Sequence, residues 1–345
     1  MNYRPGRRIA VRYRARVVWP DGRTTRTTIV ATARAGGRTE TWRWPHDPQL
    51  PGARQATDPA FVGDLIGEPG IPLELSYRSY WPGRRAVLQA VDPASNEPRA
   101  FLKIVRPSAF QRIHAVHALL ADELPVARPL ATVAELGILV LEALPGRTIS
   151  ACLADPAATP PAPGELLALV TRLGTRDLPA RPPRRTTAVK VGSHVRLLSH
   201  LLPDETGALE RFASLYGDER PQPLTTVHAD LHEEQVLSVD GRVTGLLDVD
   251  DAGQGQLVDD LALLVARVRA RGHARARAYE GELLDAFGTV VDPEELRRRA
   301  AGALLGRATA PFRTQAPDWR ATARERIRTA ESALAAWAGE PQPLL

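Results

Sequence analysis

Cysteine is almost missing from this chain: Cys152 stands alone among 345 residues. A single thiol excludes an internal disulfide and a zinc site built from several cysteines, and leaves Cys152 as a small buried or surface thiol. Long hydrophobic runs are missing too. No apolar stretch approaches the roughly 20 residues that a membrane-crossing helix needs, and the N-terminus MNYRPGRRIAVRYR is basic without the apolar core of a secretory signal. A cytoplasmic protein with no membrane partner is therefore expected. Lysine is scarce as well, since Lys103 and Lys190 are the only two among 45 basic residues. In such a chain a retained lysine suggests a position that wants a compact, mobile ammonium. Aromatic residues make up 5%, and no nucleic-acid-binding motif accompanies them, so the Arg-rich run RVRARGHARARAY (267–279) reads as a solvated helix face. No nucleic-acid partner is expected, and the net charge of +5 is mild.

What is present fits a soluble globular protein: 43% hydrophobic and 25% charged residues, in a chain long enough for two domains. Residues 9–35 read as a β-hairpin around Pro-Asp-Gly, where proline presets φ and glycine accepts a positive one. AFVGDLIG (60–67) reads as a short helix. Strands are expected at 73–81, 84–92 and 99–107, then a helix at 109–124 with Ile113, Val116, Leu119 and Leu120 on one side, and a strand at 137–146. YRPGRR (3–8) and YWPGRR (80–85) echo each other, as a duplicated β unit or as a recurring Pro-Gly turn. Beyond residue 147 the pattern becomes helical, with amphipathic spacing at 166–173, 195–202, 209–216, 259–272, 293–308 and 318–339.

The chemistry concentrates in HADLHEEQVL (228–237) and the hairpin that this stretch enters. VLSV (236–239) and RVTGLLDVD (242–250) flank Asp240-Gly241, a preferred two-residue hairpin turn. In a regular hairpin paired residues sum to 481, which sets Gln235 opposite Leu246 and Asp248 two residues further along the same face. Diagonal neighbours lie roughly 7–8 Å apart, close enough for Gln235 and Asp248 to share one cation. An amide oxygen and a carboxylate are hard donors that suit Mg²⁺. A separate aspartate nearby, Asp230, could orient or deprotonate a hydroxyl that attacks phosphorus. Lys103, mid-strand in FLKIV, could neutralise phosphate charge. The ordinary alternatives are a polar loop with a plain hairpin and an outward-facing lysine.

These residues resemble the aminoglycoside phosphotransferase family of small-molecule kinases. The pattern is H-x-D-L-H-x-x-(N/Q)-V-L, then an apolar-D-x-D strand, then D-L-A, and the likeness extends over about 70–335. The resemblance implies an α+β, two-lobed protein-kinase-like fold. It divides the chain into a β-rich extension or cap (1–66), a small β-rich lobe with hinge (67–145) and a mostly helical lobe with the catalytic loop (146–345). It implies a phosphotransferase that uses ATP or GTP with Mg²⁺ on a hydroxyl of a small molecule (an aminoglycoside-like antibiotic, a sugar or an amino alcohol), Asp230 as base or hydroxyl-orienting residue, Gln235 and Asp248 as Mg²⁺ ligands, and Lys103 on the nucleotide phosphates. Backbone groups around Glu142, Ala143 and Leu144 would hold the adenine. His228, His232 and Asp260 would brace the loop.

The family pattern is broken in three places. Gln235 replaces the usual asparagine. The helix after Lys103 shows Gln111, Ile113 and His114 where a glutamate is expected. The nucleotide loop is YWPGRR, so Arg84 or Arg85 would meet phosphate in place of a Gly-rich turn. Those breaks keep a second reading open, a pseudokinase-like protein that binds nucleotide or a partner without catalysis. A third, a metal-dependent hydrolase using His228, Asp230 and His232, leaves Lys103 and Asp248 without a role.

Overall fold

The computed structural model describes residues 1–338. The chain divides into two compact units, residues 1–118 with 127–143 and residues 119–126 with the chain from Leu144 onward.

The first unit opens with a four-stranded antiparallel meander, β1 (Asn2–Arg4), β2 (Arg8–Val18), β3 (Thr24–Arg34) and β4 (Thr39–Arg43). The expected 9–35 hairpin is β2 and β3, paired in unbroken register from Arg8↔Arg34 to Val18↔Thr24. Its turn closes on Gly22 at φ +83, a conformation only glycine adopts without strain. Helix α1 (Pro59–Leu65) starts on Asp58, whose side chain accepts from the Ala60 amide. A five-stranded sheet comes next, ordered β5 (Glu74–Trp81), β6 (Arg85–Val91), β7 (Pro98–Val105), β9 (Ile138–Glu142) and β8 (Pro129–Val133), with α2 (Pro107–Ala121) between β7 and β8. Proline in the first turn starts α2 two residues before the apolar pattern does. Alternation along β6 and β7 sends Ala86, Leu88, Leu102 and Ile104 into one core, which Val30, Leu50, Ala53 and Val62 from the N-terminal segment also enter.

The second unit is mostly helical. It runs through β10 (Arg147–Thr148), α3 (Ile149–Ala154), α4 (Pro163–Gly174), α5 (Thr187–Leu201), α6 (Thr206–Tyr216) and four short strands, β11 (Leu224–Val227), β12 (Val236–Val239), β13 (Arg242–Leu246) and β14 (Gly253–Gln256). It then continues as α7 (Leu257–Arg269), α8 (Ala274–Phe287), α9 (Pro293–Arg307), α10 (Ala310–Thr314) and α11 (Trp319–Ala338). Each amphipathic segment from the sequence falls on one of these helices. Gly339, at the end of the last expected helix, lies outside the described residues.

The β12–β13 hairpin departs from the expected register. Asp240 and Gly241 take φ +49 and +77, the two positive values of a type I′ turn. Val239↔Arg242 and Ser238↔Val243 pair as expected, but Leu237 then pairs with Gly245 and Val236 with Leu246. One residue is bulged, and Gln235 meets Leu247, whose amide donates to the Gln235 carbonyl at 2.7 Å. Gly245 permits this close pairing, because a Cβ there would come within 2.9 Å of Leu237. Asp248 is thus the immediate neighbour of the residue opposite Gln235, not two positions beyond it.

Candidate active site

The loop from β11 to β12 is built around one buried carboxylate. Asp260, in the first turn of α7, accepts from the His228 amide at 2.6 Å and the Ala229 amide at 2.9 Å. Burial raises its pKa, against the lowering pull of His228 and of these amides. His228 is fully buried. Its Nδ1 accepts from the Asp230 amide at 3.3 Å, and its Nε2 lies 2.7 Å from the Leu247 carbonyl. That pattern assigns the ring proton to Nε2 and leaves neither nitrogen for a metal, which removes the His-Asp-His hydrolase arrangement. His228 therefore ties the backbone of Asp230 to the residue before Asp248. Ala229 and Asp248 both hold positive φ, +72 and +57, uncommon for residues with a Cβ. Such positions cost on the order of 1–3 kcal/mol each, and they persist here because the loop is bonded on both sides. Asp230 itself is exposed.

His232 and Gln235 extend the same structure. The Gln235 side-chain nitrogen lies 3.3 Å from His232 Nε2, which anchors the end of the longer side chain and directs the amide oxygen elsewhere. Gln235 carries an amide oxygen and Asp248 a carboxylate, both hard donors. Among the described residues no three His, Cys, Asp or Glu side chains converge as a metal cluster.

In the first unit, Lys103 is buried on β7, directly across from Val87. Its face is the one opposite to Leu102 and Ile104, and Arg85, paired with Val105, is its diagonal neighbour there. The Trp81–Arg85 turn closes with Gly83 at φ +65 and the Arg84 amide on the Trp81 carbonyl at 2.9 Å. Glu142 ends β9, and its carboxylate accepts from the Arg128 amide at 2.8 Å. Ala143 and Leu144 stand where the chain passes from the first unit to the second. Helix α2 carries no acidic residue.

Three features escape sequence reasoning. Glu233 is buried and accepts from Arg267 Nε at 2.9 Å, with His232 Nδ1 at 3.5 Å. Burial alone would raise its pKa, but His232 and Arg267 outweigh that and hold it at about 2. Asp47 is buried in the first unit, where its Oδ2 accepts from the Tyr80 hydroxyl at 2.8 Å and the Gly83 amide at 2.7 Å, pinning the YWPGRR turn. Neither carries a local signal, since Glu233 meets Arg267, and Asp47 meets Tyr80 and Gly83, across more than 30 residues. The Arg-rich run at 267–279 is not simply a solvated face: Arg267 binds Glu233, Arg269 binds Glu280 at 2.7 Å, and Arg275 donates to the carbonyls of Cys152, Asp155 and Ala158. A basic residue every second or third position around a buried glutamate was the one available hint.

Residues 85–302 match the Phosphotransferase enzyme family. Among curated proteins nothing matches the sequence. Solved structures share the fold. A choline/ethanolamine kinase family protein from Mesorhizobium loti is 17% identical with a TM-score of 0.52, over 82% of this chain and 97% of that one. A thermostable mutant of the aminoglycoside phosphotransferase APH(4)-Ia, in ternary complex with ADP and hygromycin B, is 12% identical with a TM-score of 0.56, over 82% and 99%. The GDP and kanamycin complex of APH(2")-IIia is 13% identical with a TM-score of 0.53, over 79% and 97%. The β-rich first unit and helical second unit are those of kinase-like phosphotransferases.

Proposed function

We propose, from the premise that this chain belongs to the Phosphotransferase enzyme family, that it moves the γ-phosphoryl group of ATP or GTP to a hydroxyl of a small molecule. The observation that carries this reading is the bonding around Asp230: Asp260 holds the two amides before it, and His228 ties its own amide to the Leu247 carbonyl beside Asp248. A carboxylate held so firmly, yet exposed, is suited to orient an acceptor hydroxyl and take its proton. The hydroxyl oxygen bonds to the γ-phosphorus, the bond from that phosphorus to the β-phosphate oxygen breaks, and the nucleoside diphosphate leaves with the bonding pair. Lys103, with Arg84 or Arg85, neutralises phosphate charge, and the backbone from Glu142 to Leu144 receives the base. Gln235 and Asp248 would hold Mg²⁺, which when bound neutralises charge on the β- and γ-phosphates. The ADP and GDP in the two aminoglycoside phosphotransferase complexes support a nucleotide co-substrate.

The test is phosphoryl transfer from labelled nucleotide together with thermal unfolding. Asp230→Asn is expected to lower transfer at least a hundredfold while Mg²⁺-nucleotide still raises the melting temperature. Asp248→Ala is expected to abolish the Mg²⁺-dependent part of that rise. Wild-type protein that is stabilised by nucleotide but transfers nothing to any hydroxyl compound supports the pseudokinase reading instead.

A further inference from the structure

The second unit contains a cavity of about 770 Å³ where the C-terminal ends of α7 and α9 meet α8 and α11. Its charged lining is Arg269, Arg277, Arg307 and Arg326 against Glu280 and Glu325. Glu280 is already engaged, since Arg269 donates to it at 2.7 Å, and Arg269 also stacks on Trp337 at 4.9 Å. Arg277, Arg307 and Arg326 therefore face a single remaining carboxylate.

Arg307 is the unusual member. It is partly buried and makes no ion pair among the described residues. Arg326 NH1 donates to the Arg307 backbone carbonyl at 3.0 Å, which brings a second guanidinium close. Burial, with Arg267, Arg326 and Arg271 around it, outweighs the raising pull of Glu233 and brings the Arg307 pKa down to about 10. Cations gathered out of bulk water without matching anions are costly, and an oxyanion bound between them removes that cost, because guanidinium groups match carboxylate and phosphate geometry.

Helix α7 and the residues just past its end link the cavity to the catalytic loop. The helix carries in its first turn Asp260, which grips His228 and Ala229; further along it Arg267 binds Glu233, and just past its end Arg271 lies 3.6 Å from Glu234. Glu233 and Glu234 belong to the loop that carries Asp230, and Arg269 of the same helix lines the cavity.

We propose that this cavity receives the anionic group of the acceptor, so that the substrate is a small hydroxyl compound bearing a carboxylate or a phosphate and not a polycationic aminoglycoside. The proposal rests on the phosphotransferase reading and adds the sign of the substrate's charge; the bonds made and broken are those of the γ-phosphoryl transfer. An arginine lining repels a polyamine and attracts an oxyanion, so discrimination works in both directions.

Isothermal titration at low ionic strength tests it on the full chain. The probes are gluconate against glucose, glycerol 3-phosphate against glycerol, and kanamycin, with wild type, Arg307→Gln and Arg326→Gln. At least one anion is expected to bind wild type ten times more tightly than its neutral parent. Each variant is expected to weaken that anion at least tenfold while leaving Mg²⁺-nucleotide stabilisation unchanged, and the pairs separate carboxylate from phosphate recognition. Anion binding that is absent, or equal in wild type and both variants, overturns the proposal, as does preferential binding of kanamycin. Arg326→Gln serves where Arg307→Gln fails to fold. Wild type that shows no Mg²⁺-nucleotide stabilisation counts against the phosphotransferase reading, whereas nucleotide stabilisation without anion binding sinks only the charge assignment.

Discussion

Glu233 lies three residues beyond Asp230, in a stretch where the sequence makes Asp230, His228 and Asp260 legible and makes Glu233 look like any solvated acid. The difference is physical. The first three belong to the spacing that marks the family, whereas Glu233 acquires its role from Arg267, 34 residues away on α7. With its carboxyl held at about 2 against an ordinary 4.5, the folded state keeps it ionised more readily than the unfolded one. The stability it adds is therefore complete above pH 4.5 and is lost as pH falls through 4.5 toward 2. A difference of that size corresponds to about 3 kcal/mol. Glu233→Gln is expected to lower stability by that order at pH 7, with the gap to wild type closing on acidification. Urea unfolding at a series of pH values checks this, and a gap that stays constant with pH would show that the lost stability has nothing to do with ionisation.

At the scale of elements, periodicity found the helices because an apolar stripe declares itself in any window of a few turns. It could not find what crosses between elements. The type I′ turn of the β12–β13 hairpin is written in Asp240-Gly241, but the bulge that moves Gln235 opposite Leu247 is not, because it depends on Gly245 closing against Leu237. Helix α9 poses the same difficulty. Arg297, Arg298 and Arg299 are consecutive, and only Arg299 is fully buried. It donates to Glu295 at 2.7 Å and Asp259 of α7 at 3.0 Å, bonds Gln256, and lies 3.9 Å from Glu219. Removing this one cation leaves several acidic groups crowded in a dry site. Arg299→Met, which keeps much of the volume, is expected to cost about 3–5 kcal/mol, while the more accessible Arg297→Met costs less than about 0.5 kcal/mol. Denaturant unfolding of the pair measures the difference, and equal losses would mean that the buried network adds nothing beyond packing.

For the whole chain, the family resemblance sets residues 1–66 apart as an extension, yet the first unit has one core to which that segment contributes. Val30, Leu50 and Val62 are fully buried or nearly so, in the same cluster as Leu88, Leu102 and Ile104 of the five-stranded sheet. Burial of one such side chain stabilises by about 1.5–3 kcal/mol, so these three together approach the roughly 5–15 kcal/mol that separates folded from unfolded states in a typical domain. The segment also supplies Asp47, without which the Gly83 amide and the Tyr80 hydroxyl lose their shared buried acceptor. Each unsatisfied buried donor costs about 1–3 kcal/mol. A chain beginning at residue 67 is therefore expected to leave the sheet face that carries Leu88 and Leu102 open to water and to aggregate or melt without cooperativity. Asp47→Asn in the full chain is expected to fold but to unfold earlier. Calorimetry on both separates the alternatives: a truncated chain that melts cooperatively, and is still stabilised by nucleotide, would show that the N-terminal segment is an accessory and that the sheet beneath it stands alone.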